Sequence, residues 1–324
     1  MSRFLPDPFI LVLLATVALA SLFPAVGVTA TQLGLVATTA VMLLFFLHGV
    51  KLPRENLVAA LTHWRLHLLI LATTYILFPL CGLLLSKLWP ALLPVNLWAG
   101  VLFLCALPST VQMSIAYTSM ARGNVAASVT SAAVSNLLGI ALTPVIAGAL
   151  LHAQGGGAVP LAGIWKVVLQ LLLPFVVGHL LRPWLGAWAA RQKKLITMCD
   201  RLTILLSVYS AFSAAVIAGI WAQVPLTTLF VLVAVCGTIL TLAMLFTAFG
   251  SRFAGLAVAD QRTAQYCGSF KSLVSGVPMA RVLFPSAEIG AIILPIMIYH
   301  QLQLMVSATI APRQAKQARG EVSK

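Results

Sequence analysis

Tyr266-Cys267-Gly268-Ser269-Phe270-Lys271-Ser272-Leu273-Val274-Ser275-Gly276 is a short, polar, glycine-containing run with a lysine at its centre, set inside the hydrophobic C-terminal third of a 324-residue chain. An ammonium at bilayer depth costs at least about 2.5 to 3.5 kcal/mol, so Lys271 has to face protein or water rather than lipid. The surroundings establish that depth. Hydrophobic residues make up 61% of the chain and charged residues 8%, with a mean hydropathy of +1.04. This is the composition of an all-α polytopic membrane protein. A spanning helix takes about 20 apolar residues, which leaves no length for a soluble domain, so function has to reside among the helices.

Working outward from Lys271, the apolar runs predict ten spans: 9–26, 33–50, 66–88, 97–120, 125–151, 164–185, 202–221, 226–249, 261–283 and 289–310. The fourth is interrupted near Pro108 and the ninth between Gly268 and Gly276. A glycine-rich link at 153–162 divides the chain into a first five-helix repeat (1–152) and a second (163–312), followed by a basic cytoplasmic tail (313–324). Five spans per half require the second repeat to be inverted relative to the first, an architecture common among secondary transporters. Leu104-Cys105-Ala106 and Met120-Ala121-Arg122 are echoed by Tyr266-Cys267-Gly268 and Met279-Ala280-Arg281. More telling, the interrupted helix is the fourth of each half, and paired broken segments at corresponding positions point to a transporter's binding site.

The formal net charge of +14 does not indicate nucleic acid, because the basic residues are scattered singly and no basic patch carries interleaved aromatics. It fits the positive-inside rule instead. With both termini cytoplasmic, only Lys87, Lys166 and Arg281 fall on the outer side and Lys271 lies within the membrane; the remainder of the 20 Lys and Arg residues are cytoplasmic. The expected location is the cytoplasmic (inner) membrane of the cell. The first apolar run is read as an uncleaved helix rather than a signal peptide. Five isolated cysteines form neither a disulfide framework nor a metal cluster, and no soluble-enzyme signature is present. The chain is read as a transporter and not an enzyme.

The first break reads Leu107-Pro108-Ser109-Thr110-Val111-Gln112-Met113-Ser114. Proline removes a backbone donor and frees carbonyls for a cation, while the half-helix that follows offers amides to an anion. Ser109, Thr110, Gln112 and Ser114 supply oxygen at the same depth, a ligand type suited to a hard cation such as sodium. Ser128, Ser131 and Ser135, spaced three then four, share one helical face, with Asn136 beside them. That face either lines a cavity or packs helices through hydroxyl contacts. In the second break Ser269, Lys271 and Ser272 follow Gly268, whose flexibility, with that of Gly276, permits unwinding. Lys271 can stand in for a coupling cation, hold an anionic substrate, or titrate as a proton carrier. In the tenth span His300 and Gln303 share a face with Ser307, and a buried histidine there serves as a hydrogen-bonding core group or a proton relay. Asp260 and Glu288 are read as a helix cap and a loop charge.

The runs Pro108–Gln112, Ala121–Ala126, Ser135–Gly139 and Leu142–Pro144, with Tyr266–Leu273, Gly276–Ala280 and His300–Met305, resemble the bile acid:sodium symporter superfamily, and more narrowly its bacterial symporter-like branch. The resemblance extends over essentially the whole chain. It implies ten helices as a 5+5 inverted repeat, with discontinuous helices 4 and 9 crossing, core and panel domains, and alternating access. Ser114 and Ser128 match family sodium-ligand positions, whereas Ile115 and Ala132 stand where the family has an asparagine and a threonine. In the ninth helix Tyr266 and Phe270 align with a glutamate and a glutamine that hold sodium in bile acid members, and Lys271 follows. A site that loses a carboxylate and gains an ammonium repels sodium.

The sequence therefore predicts a secondary active transporter of a small organic anion, expected as a monomer or weak homo-oligomer embedded in the lipid bilayer. It needs no cofactor beyond Na+ or H+ as a coupling ion. Two alternatives stay open: a proton- or cation-coupled antiporter in which Lys271 titrates, and a non-transporting membrane regulator on the same scaffold.

Overall fold

The computed structural model describes residues 8–51, 63–154, 168–217, 219, 225–285 and 288–322, and every regular element among them is helical. In chain order these are α1 Pro8–Leu22, α2 Gly27–Lys51, α3 Trp64–Leu88, α4 Val95–Ala106, α5 Gln112–Met120 and α6 Val125–Ala153. There follow α7 Leu169–Leu180, α8 Arg182–Arg191, α9 Lys193–Ile217, α10 Leu226–Phe253, α11 Val258–Ser269, α12 Leu273–Leu283 and α13 Ile289–Val322. Six of them, namely α2, α3, α6, α9, α10 and α13, are long and apolar enough to cross a membrane, and α7 with α8 forms a seventh, bent candidate. The chain is a multi-pass helical membrane protein.

Three expectations need correction. The sixth span does not run straight to residue 185: the axis turns by 93° between Leu180 and Arg182. Pro183 sits in the first turn of α8, where a missing N–H costs nothing, whereas in the interior of one straight helix running on from α7 it would remove a backbone hydrogen bond. The helix of the seventh span, α9, starts at Lys193, not at residue 202, and its added turns are packed through Asp200, which is buried with its carboxylate 3.7 Å from Lys51 Nζ and 3.5 Å from His48 Nε2. Nor does the helix of the tenth span stop near residue 310, since α13 continues through Pro312 to Val322. The glycine-rich link falls outside the described residues from position 155 onward.

The chain divides into two compact units. The first takes in Met1–Lys51, Leu161–Pro225 and Val277–Ile293, and its closest packing joins α2 to α7. A Cβ at Gly49 would strike the Phe175 carbonyl, and one at Gly178 would strike the Phe46 carbonyl. Small residues thus let the two backbones touch, which is how helices gain contact where lipid removes the hydrophobic drive. The second unit takes in Leu52–Pro160, Leu226–Gly276 and Leu294–Lys324. It holds both helix breaks, and its core is built around Trp98, Phe103, Phe78, Tyr266, Phe270 and Tyr299, all 1% exposed or less.

Candidate functional site at two broken helices

Both predicted breaks are present within the second unit. The first lies between Ala106, the last residue of α4, and Gln112, the first of α5; the second separates α11 from α12 by only Phe270, Lys271 and Ser272. Proline accounts for the first. Its neighbours hold the displaced chain: Ser109 N donates to Ser135 Oγ at 3.1 Å, and Asn136 Nδ2 donates to the Ser109 carbonyl at 2.7 Å. Gly139 lets α6 pass close by, because a Cβ there would come within 2.7 Å of Pro108.

Glycine flexibility does not account for the second break. Gly268 lies inside α11 and Gly276 inside α12. Each instead marks a close approach, to Thr247 and Thr73 in one case and to Leu107 in the other. What holds the chain open is a set of side chains. Gln303 Oε1 accepts from Lys271 N at 2.8 Å while Gln303 Nε2 donates to the Lys271 carbonyl at 3.1 Å and contacts His300 Nδ1 at 3.0 Å. One amide thus replaces the helical partners of an entire residue. Tyr299 Oη donates to the Ser269 carbonyl at 2.7 Å. Ser272 Oγ accepts from Ser275 N at 3.1 Å, an N-cap that restarts the helix at Leu273.

The two breaks are bonded directly to each other. Ser272 N donates to the Pro108 carbonyl at 3.0 Å, Ser109 Oγ donates to the Cys267 carbonyl at 2.6 Å, and Ser275 Oγ donates to Asn136 Oδ1 at 2.8 Å. Asn136 therefore serves both sides at once.

Lys271 is 1% exposed. Its ammonium donates to three backbone carbonyls, Thr74 at 2.9 Å, Cys105 at 3.0 Å and Leu107 at 2.7 Å, and stands 4.0 Å from the centroid of the Phe78 ring. All three N–H donors are used. Hydrogen bonds to a charged group contribute about 1.5–3 kcal/mol each and a desolvated cation–π contact about 2 kcal/mol. Together these offset a burial penalty of several kcal/mol per ion. Two of the three carbonyls come from the end of α4, where the break leaves them without helical donors. The third, Thr74, belongs to a π-helical turn at Thr73–Leu77, a local irregularity often associated with functional sites. The oxygen cage that a broken helix offers to a metal ion is here filled by an ammonium of the chain itself.

The other predicted residues distribute as follows. Ser114 Oγ donates to the Thr110 carbonyl at 2.6 Å and lies 3.4 Å from Ser109 Oγ; Ser128 Oγ lies 3.1 Å from Cys267 Sγ. The serine stripe on α6 does not act as one surface: Ser131 pairs with His67 Nδ1 at 2.8 Å, away from Ser128, and Ser135 serves the first break. Ser269 Oγ bonds back to the Gln265 carbonyl at 2.5 Å. Gln112 is exposed at the start of α5 and joins none of these bonds. Asp260 is not a cap; it accepts from Asn124 Nδ2 at 2.8 Å, and Asn124 is the residue that caps α6 through Ala127 N.

Sequence reasoning missed Thr74, Cys105 and Leu107, which act through main-chain oxygen and so leave no side-chain signature. It also missed an aromatic cluster. Tyr117 stacks on Tyr266 at 6.0 Å, and Phe270 meets both edge-on at 5.7 and 5.9 Å. Tyr266 Oη donates to Gln314 Oε1 at 2.8 Å, and Gln314 Nε2 donates to Gln265 Oε1 at 2.6 Å. The extension of α13 past Pro312 is anchored there.

A pair of broken helices bonded at their breaks, with a cation at the junction, is an arrangement suited to a transporter, and comparison with known proteins places the chain in a transporter family. A model of the SBF-like CPA transporter family matches residues 7–316. The chain belongs to that family. It is 51% identical over 317 residues to an uncharacterized protein of Pseudomonas aeruginosa, covering 97% of this chain and 94% of the relative. It is 48% identical over 311 residues to YfeH of Escherichia coli, named as a proposed symporter, covering 96% and 93%. Sodium/bile acid cotransporter 7 of Danio rerio is 28% identical over 312 residues, covering 94% and 92%. The family is one of transporters, not of enzymes.

The residues present do not fit a sodium ion at the positions the resemblance assigns. Ser114, Ser128 and Cys267 bring two hydroxyls and a thiol but no carboxylate, and the position aligned with the family's glutamate carries Tyr266, packed among rings.

Proposed function

We propose that the chain is a secondary transporter of a small organic anion in which Lys271 replaces the coupling sodium ion. Its scaffold is a ten-span 5+5 inverted repeat working by alternating access in the inner membrane, with both termini cytoplasmic. The observation that carries this reading is the triple coordination of the Lys271 ammonium by Thr74, Cys105 and Leu107 carbonyls. A resident cation supplies the charge that relatives named for sodium take from the medium, and it leaves the junction positive, since no carboxylate is among its partners. The N-terminus of α5 adds to this: Val111 and Gln112 are exposed, and no side chain caps the helix, so its amides and dipole are available to an anion.

The same geometry weighs against an antiporter in which Lys271 titrates. A neutral amine has two N–H donors for three acceptors, so each proton release would strand a buried carbonyl, at about 1–3 kcal/mol. Counterflow in proteoliposomes tests the proposal, using a panel of labelled carboxylates and sulfonates with sodium or choline as the medium cation. Uptake of an anion at equal rates in both media, lost in Lys271→Met, is the expected result. Uptake that requires sodium and survives that change would reject the resident-cation role. Proton movement that accompanies uptake and disappears in Lys271→Gln would favour the antiporter.

A further inference from the structure

The first unit contains a second cation, which the sequence reading counts only as a charge on the outer side. Arg281 lies near the end of α12, ten residues beyond Lys271. Its Nη1 donates to Ser210 Oγ at 2.8 Å on α9, and its Nη2 donates to the Gly34 carbonyl at 2.8 Å on α2. The Gly34 carbonyl is already bonded by Thr38 Oγ1 at 2.9 Å, so it gives the guanidinium little exclusive stabilisation. Arg281 Nε is buried without a partner among the described residues. Among the described residues no carboxylate pairs with Arg281; the ion pairs of this unit join Asp200 to His48 and Lys51.

The neighbouring hydroxyls are also unsatisfied. Ser207 and Ser213 lie one turn before and one turn after Ser210 on α9, which puts them on the same broad face. They are 1% and 2% exposed, and neither hydroxyl has a partner among the described residues. A protein rarely leaves buried polar atoms unpaired, and here three of them, Arg281 Nε and the two serine oxygens, accompany an uncompensated guanidinium. By contrast Lys271, also cationic, has every donor occupied. Arginine's planar fork suits the two oxygens of a carboxylate or sulfonate.

We infer that Arg281, flanked by Ser207, Ser210 and Ser213, is the recognition site for the oxyanion of an organic acid. The anion takes Nε together with one Nη, and the serine hydroxyls donate to its remaining lone pairs. This inference rests on the reading of the chain as an organic-anion carrier and assigns the two cations different tasks: Lys271 is bound by the protein, and Arg281 binds the cargo.

The test uses purified full-length protein and a scintillation proximity assay with labelled taurocholate, competed by cholate and by its uncharged amide, cholamide. Each variant is first shown to be monodisperse by size exclusion. The expected result is competition by cholate but not by cholamide in the wild type, and at least a 20-fold loss of taurocholate affinity in Arg281→Gln. Arg281→Lys, which keeps the charge and loses the fork, should lie between. Ser207→Ala/Ser213→Ala, which leaves Arg281 and its two bonds in place, should weaken binding 3- to 10-fold. Wild-type affinity in Arg281→Gln, with cholate still preferred over cholamide, would overturn this inference and leave the carrier reading standing. Equal competition by cholate and cholamide in the wild type would overturn the anion reading and this inference with it.

Discussion

The two breaks reach the same end by opposite means. At Pro108 the backbone is unable to continue as a helix, and Ser135, Asn136 and Gly139 adapt to the consequence. At Phe270–Ser272 nothing in the chain forbids a helix. Gln303, Tyr299, the Ser272 cap and the lysine's own ammonium hold it apart. A break imposed by covalent chemistry persists when its neighbours change, whereas a break maintained by side chains depends on each of them. The second is therefore the more fragile, and substitutions around it should have the larger effects.

The largest expected effect is that of Lys271→Met, which leaves three carbonyls facing an apolar side chain. Three orphaned carbonyls at about 1–3 kcal/mol each, partly offset by the desolvation cost the ammonium no longer incurs, give an expected destabilisation of about 3–6 kcal/mol, measured by chemical unfolding in detergent. A loss below about 1 kcal/mol would mean that the cage relaxes easily and that the ammonium is not what holds it. Next comes Gln303→Leu, which keeps the volume but orphans the Lys271 N–H and C=O. At about 1–3 kcal/mol for each of the two unsatisfied groups, the cost should reach roughly 2–6 kcal/mol. Asn136→Ala removes the bonds to the Ser109 carbonyl and Ser275 and should cost about 1–3 kcal/mol, less than Gln303→Leu because Pro108 still enforces the first break. If Asn136→Ala proves the more damaging, the contrast between the breaks is reversed. The smallest effect is expected from sodium itself: exchanging it for potassium or choline at constant ionic strength should leave the thermal midpoint within about 1 °C, since a ligand stabilises only the state it binds.

How much of this was readable beforehand follows from the same contrast. Pro108 announces its break in one letter, and composition alone declares a helical membrane protein. The second break was located correctly but for the wrong reason: Gly268 and Gly276 looked like hinges and are contact points for Thr247, Thr73 and Leu107. Periodicity placed Ser128, Ser131 and Ser135 on one face of α6, yet three residues along a helix is enough to give Ser131 a separate partner in His67. Main-chain ligands such as Cys105 and Leu107 have no identity in sequence, because any residue supplies a carbonyl; only the fold brings them around Lys271. Gln314 looked like part of a polar tail, since its partners Gln265 and Tyr266 lie 49 and 48 positions away.

Filling the carbonyl cage with a side chain also removes it from mass action. An ion drawn from solution occupies its site to an extent set by its concentration, and the stability it confers rises and falls as RT ln(1 + [L]/Kd). The Lys271 ammonium has no free concentration and no off-rate from the molecule. On the proposed reading its cage is filled equally in fresh water and in brine, and the junction of the two broken helices should keep the same structure whatever the salt outside.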